Sequence, residues 1–190
     1  MSMLKSILEH NETFVAEKQY EQFHTTKFPD KKLVILTCMD TRLNELLPRA
    51  MNIKHGDAKI IRNAGAVISH PFGSIMRSII IAVYELHAEE IYVVGHHGCG
   101  MAGLDSNNII TKAEEIGVSK ELLHTLNFSG IDIKKWLTGF EKVEDNVAHS
   151  VEMIKNHPLL PPNIPVHGLV ISPETGKLEL VVSEYERKQL

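Results

Sequence analysis

Lys32-Leu33-Val34-Ile35-Leu36-Thr37 is the stretch on which the fold turns. It is apolar and partly β-branched, with no alternation of apolar and polar residues, which is the pattern of a strand covered on both faces. Pro29-Asp30 punctuates it on one side, and Cys38-Met39-Asp40-Thr41-Arg42 follows on the other. Two runs of the same kind lie downstream. Ala58-Lys59-Ile60-Ile61-Arg62 is closed by the turn-forming Asn63-Ala64-Gly65, and Glu90 to Gly95 (EIYVVG) runs straight into His96-His97-Gly98-Cys99-Gly100. Between them lie segments of helical character. Leu43 to Met51 is one; Pro71 to His87 is another, with proline in its first turn and Ile75, Ile79, Ala82, Val83 and Leu86 at helical spacing.

Residues 3–23, upstream of these runs, read as an amphipathic helix with Leu4, Ile7, Leu8, Phe14 and Val15 on one side. Such an arm must bury its stripe against its own core or a partner subunit. Past Cys99 the pattern is helical and polar from Ser106 through Trp136, then a long segment spans Phe140 to Asn156. After a proline-rich loop, Val166 to Ile171 and Lys177 to Val182 read as strands joined by Pro173-Glu174-Thr175-Gly176 into a hairpin. Strands alternating with helices predict one α/β domain over residues 1–190. Its central sheet is mostly parallel, flanked by helices, with an antiparallel edge hairpin and an N-terminal helical arm over residues 1–25.

Composition supports a folded domain: of 190 residues, 43% are hydrophobic and 23% charged, which excludes wholesale disorder. A formal charge of −4 predicts neither a nucleic-acid nor a membrane-surface partner. The longest apolar stretch, Ile79 to Tyr84, is far short of a membrane span. The opening MSMLKSILEHNETF meets charge too early for a secretory signal. Two cysteines are too few for a disulfide scaffold, so a cytoplasmic location is expected.

Both cysteines fall just past the carboxyl end of an expected central strand, the edge where open α/β sheets bind ligands. Taken singly each has an ordinary reading, because unpaired cysteine is among the most buried residue types. A redox Cys-x-x-Cys motif is absent, and a cysteine phosphatase would need arginine at position 44, which is Asn44. Taken together, Cys38 and Cys99 with His96 form a three-ligand set that leaves zinc a fourth position open. His97 competes for the ligand role, but adjacent residues tend to point apart and the spacing favours His96. Asp40 and Arg42 lie two apart, close enough for charge-assisted hydrogen bonds; Asp40 or Thr41 also suits the cap of the helix at Leu43.

Cys38-x-Asp40-x-Arg42 followed by His96-x-x-Cys99-Gly100, with Arg62-Asn63-Ala64-Gly65 between, resembles the β-class carbonic anhydrases in their compact branch. The resemblance runs from the first strand to the last hairpin and is loose only over the polar helices from Ser106 to Gly139. It implies one Zn2+ per subunit on Cys38, His96 and Cys99, with Asp40 and Arg42 as the catalytic pair beside it. It implies reversible hydration of carbon dioxide to bicarbonate and a proton by a zinc-bound hydroxide. It further implies a homodimer or dimer-based oligomer, the N-terminal helix packed across the partner and the site near the interface. Two alternatives share the motif: hydrolysis of carbonyl sulfide or carbon disulfide, and a catalytically silent zinc-stabilised interaction module.

Two thiolates cancel the charge of zinc, so the rate is expected to rise through an alkaline pKa. A bicarbonate-regulated branch carries tryptophan where this chain has Ile35, and Arg62 alone cannot rebuild that anion site; no such inhibition is expected. For the substrate pocket, Gly65, with Ala64 and Phe72, is the expectation drawn from the loops after the second strand.

Overall fold

A computed structural model describes residues 2–187. Inside its sheet lies β1 (Leu33–Cys38), in which every residue from Val34 to Cys38 is buried. It pairs in parallel with β2 (Ala58–Asn63) on one side and β3 (Glu90–His96) on the other. Beyond β3 comes parallel β4 (Val166–Ile171), and antiparallel β5 (Leu178–Val182) closes the edge, giving the order β2-β1-β3-β4-β5. The expected α/β class, parallel centre and edge hairpin are all present. The strands carry one refinement. β1 includes Cys38 and β3 includes His96, so two candidate ligands are the last residues of their strands, held by the ladder itself.

The faces of the sheet bury different helices. Val34, Leu36, Ile91 and Val93 pack with α3 (Ser74–Tyr84) and α7 (Val143–Lys155), while Ile35 and Val94 pack with α2 (Leu43–Ala50) through Leu43 and Leu47. This double covering is why β1 shows no polar alternation. α7 lies very close to the sheet because β3 and β4 present glycine beneath it. A Cβ at Gly95 would stand 2.6 Å from Val143 Cγ2, and one at Gly168 would stand 2.7 Å from Val147 Cγ1.

Several helix boundaries differ from the periodicity. The single helix expected over 3–23 is α1 (Met3–Ala16) followed by a 3-10 turn (Gln19–Phe23), because Lys18 between them is left-handed at φ 54°. None of α1 is buried within this chain, and Met3, Leu4, Ile7 and Leu8 are more than half exposed. The helix expected over 71–87 runs only over Ser74–Tyr84. Pro71 and Phe72 belong to a turn closed by the Gly73 N–H on the His70 carbonyl, 3.0 Å away. At the other end His87 turns left-handed (φ 58°), and the Ala88 N–H reaches back to the Ala82 carbonyl. The polar stretch is three short helices, α4 (Ser106–Glu115), α5 (Lys120–Phe128) and α6 (Ile133–Leu137), capped by Asp105, Ser119 and Asp132. α7 begins at Val143, not at Phe140, which bridges Ala102 instead. α8 (Glu184–Arg187) follows β5, and among the described residues no helix is long and apolar enough to cross a membrane.

Candidate metal centre

Three parallel strands place the site. Cys38 ends β1 opposite Asn63 on β2, and His96 ends β3 beside Ile171 on β4. The chain then turns through Gly98, at φ +63°, and delivers Cys99. All three side chains are buried, and their ligand atoms lie within 4.8 Å of one another. The two sulfurs stand 3.9 Å apart.

Two features of the donor set bear on its fit to zinc. Two thiolates bound tetrahedrally at ~2.3 Å would stand about 3.8 Å apart, close to the separation found. His96 Nδ1 lies 2.9 Å from the His97 carbonyl, which only accepts, so Nδ1 carries the proton and Nε2 presents its lone pair. That Nε2 is buried without a hydrogen-bond partner. An orphaned buried nitrogen costs about 1–3 kcal/mol unless something satisfies it. A metal ion between the sulfurs would do so. The residues fit.

The electrostatics favour ionisation at Cys38. Burial pushes its thiol up, but the neighbouring His96 ring and the backbone N–H groups of Gly65 and Asp40 outweigh it and hold the pKa at about 7. Cys99 is pushed up by burial and by the charge on Cys38, with the Met101 N–H opposing. Contact with Cys38 in turn raises His96.

Asp40 and Arg42 form a fork-to-fork pair, Nε to Oδ1 at 3.0 Å and Nη2 to Oδ2 at 2.8 Å. The Arg42 backbone N–H also donates to Oδ1, at 2.9 Å. Held this way, the Asp40 carboxyl lies well below the usual carboxylate range. Its Oδ2 stands 3.7 Å from His96 Nε2, so the carboxylate borders the metal position while both its oxygens are engaged by arginine. Arg42 Nη2 also reaches the Gly98 carbonyl at 3.2 Å, tying the β1 loop to the loop that carries Cys99. The alternative of Asp40 as a helix cap is thus partly met: it accepts a backbone N–H just before α2 and binds the guanidinium as well.

An open cleft of about 560 Å³ fronts these groups, with Met39, Ala64, Gly65 and Met101 among its walls. Ala64 and Gly65, two of the three pocket candidates, line this cleft. Phe72 does not border it; its ring lies against His157, at 5.1 Å between centroids. Gly65 also donates its N–H to Cys38 Sγ at 3.3 Å. Its φ of +79° and the absence of a side chain are both needed, since a Cβ there would meet Phe140 Cε1 at 2.9 Å and Met101 Cγ at 3.0 Å. Sequence reading missed Met39 and Met101, which carry no chemical signature. It also missed what Arg62 does: Nη1 donates to the Cys38 carbonyl at 3.1 Å and Nη2 to the Leu43 carbonyl at 3.2 Å, fastening both ends of the loop that bears Asp40 and Arg42. His97 is set apart from the sulfurs, its ring 3.3 Å from Glu179.

The carbonic anhydrase family model matches residues 33–178. The crystal structure of β-carbonic anhydrase isoform I from Trichomonas vaginalis superposes with a TM-score of 0.88 at 34% identity, covering 97% of this chain and 100% of that one. The chain belongs to the β-carbonic anhydrase family. Among its relatives within the family, the carbonic anhydrase candidate YvdA of Bacillus subtilis is 64% identical over 186 residues, covering 98% of this chain and 94% of YvdA. The family's range of chemistry is wider than one substrate. A carbon disulfide hydrolase of Acidithiobacillus thiooxidans is 29% identical over 157 residues, 78% of this chain and 76% of that enzyme.

Proposed function

We propose that this β-carbonic anhydrase family member catalyses the reversible hydration of carbon dioxide to bicarbonate and a proton, using a zinc ion held by Cys38, His96 and Cys99. The observation that carries the reading is the convergence of three buried ligand atoms beside an Arg42-clamped carboxylate. Bound there, zinc would supply the Lewis acidity that makes water a nucleophile, at a more alkaline pH than on neutral ligands because two thiolates offset its charge. The protein residues do the rest. Three ligands leave one position open, which a purely structural site would close with a fourth, and this weighs against a silent interaction module. Asp40 accepts the hydrogen bond of the attacking oxygen and fixes its direction. Arg42 keeps Asp40 ionised and turned from the open ligand position. Met39, Ala64 and Met101 offer an apolar wall suited to a small uncharged linear molecule. Gly65 serves the pocket by absence of bulk and serves Cys38 by its N–H.

The uncovered apolar stripe of α1 supports a homodimer, in which the arm over residues 1–25 packs on a partner. Two unpaired cysteines support a reducing compartment, the cytoplasm. Carbon disulfide is the competing substrate, favoured by the named activity of the Acidithiobacillus relative. Metal analysis with parallel assays of carbon dioxide hydration and of sulfide release from carbon disulfide separates the two. One zinc per chain with hydration dominant is expected; sulfide release dominant would overturn the substrate, and a metal-free, inactive chain the whole reading.

A further inference from the structure

We propose that Asn146, on α7, is a positioning residue for the sulfur of Cys38, acting through the backbone of Gly65. The inference rests on the reading of Cys38 as a metal ligand. The Gly65 N–H that meets Cys38 Sγ at 3.3 Å belongs to a short 3-10 turn, Ala64–Ala66. Two successive residues there are left-handed: Gly65 at φ +79° and Ala66 at φ +56°. Glycine tolerates this; alanine rarely adopts it, and such a turn persists only where its surroundings over-determine it.

The surroundings do. Asn146 Nδ2 donates to the Gly65 carbonyl at 3.0 Å, and Ser150 Oγ donates to the Ala66 carbonyl at 3.4 Å. Asn63 Oδ1 accepts the Val67 N–H at 3.1 Å, and its Nδ2 donates to the Val67 carbonyl at 2.6 Å, closing the turn from the strand side. Asn146 and Ser150 are one helical turn apart on the buried face of α7, among Val143, Val147, Val151 and Ile154. A carboxamide inside an apolar helix face is costly unless it is hydrogen-bonded, and the Gly65 carbonyl is the partner found for it. The glycines beneath α7 bring the helix close enough for that reach. The result is a continuous path: sheet to α7, Asn146 to the Gly65 carbonyl, and the Gly65 N–H to the sulfur. A backbone donor aimed at a thiolate favours its charged form and fixes the direction of its lone pairs, and outer partners of this kind set ligand orientation in metal sites.

The test uses the full chain, metal-free and then titrated with Co2+, whose thiolate charge-transfer absorption reports sulfur ligation. Asn146→Asp keeps the shape and replaces the donor with an acceptor, and Asn146→Ala removes both. Ser150→Ala loosens the same turn and stands in if the Asn146 variants do not fold. The variants are expected to bind Co2+ about ten- to a hundredfold more weakly in chelator competition, with an altered charge-transfer band at saturation. Amide exchange at Gly65 in the metal-free protein is expected to rise about tenfold. A merely structural role for Asn146 would lower the melting temperature and leave the saturated band at its wild-type energy and intensity. Unchanged Co2+ affinity and band, whether or not Gly65 exchange rises, would overturn the proposal. A wild-type chain that binds no Co2+ would overturn the metal reading instead, and Gly65 exchange in the variants would still decide whether Asn146 holds the turn.

Discussion

Asp40 sits 3.7 Å from the nitrogen that would ligate the metal, close enough for its carboxylate to become a ligand itself if nothing restrained it. The restraint is Arg42, whose fork takes both oxygens at 3.0 and 2.8 Å. A lysine has the charge without the planar pair of donors. Arg42→Met is therefore expected to lower the kcat/KM of carbon dioxide hydration roughly 10- to 100-fold, and Arg42→Lys to recover only part of the loss, both read by stopped flow. A methionine variant within twofold of wild type would remove Arg42 from the account. Cys38, Asp40, Arg42, His96 and Cys99 were legible in the sequence because each is a chemically committed side chain beside a strand end. Gly65 was legible as a turn residue and a pocket candidate, but a backbone N–H leaves no mark in a sequence, so its bond to the sulfur could not be read. Nor could the reach of Arg62 to two backbone carbonyls, or of Asn146 across 81 residues to the Gly65 carbonyl. Those pairings exist only once β2, the turn after it and α7 are assembled.

At the scale of elements, the central strands declared themselves because burial on both faces demands continuous apolar runs. Helix ends did not, because the chain turns left-handed at Lys18 and His87, where no glycine announces it. The consequence for α1 is functional. Its base is fastened to the body by Phe23, whose carbonyl lies 2.9 Å from His55 Nε2 and whose ring meets His55 edge-on, while its apolar stripe is left open by this chain. Apolar area removed from water is worth about 25 cal/mol per Å², so a partner that covers the stripe gains substantially. The double substitution Leu4→Asp, Ile7→Asp is expected to shift the sedimenting species from dimer to monomer while far-UV circular dichroism is retained. A wild-type chain that already sediments as a monomer would contradict the role given to the arm.

For the molecule as a whole, the parallel sheet turns sequence distance into proximity. Residue 38 ends one strand with 40 and 42 just beyond it, 96 ends the neighbouring strand with 99 just beyond it, and the β2 strand and turn brace them from the other side. Opposite the two cysteine sulfurs the cleft stays open, bordered by two methionines and an aspartate that its own arginine keeps charged. That division, with three buried candidate ligands behind and an oriented carboxylate in front, suits the hydration chemistry proposed above. The proposed role of Asp40 is to act beside a metal held by Cys38, His96 and Cys99. It is tested most directly by stopped-flow carbon dioxide hydration on the zinc-loaded wild type beside zinc-loaded Asp40→Ala. Ready hydration by the wild type is expected, with a loss of roughly a hundredfold or more in the variant at equal zinc content; equal rates, or no hydration by the wild type, would rule that role out.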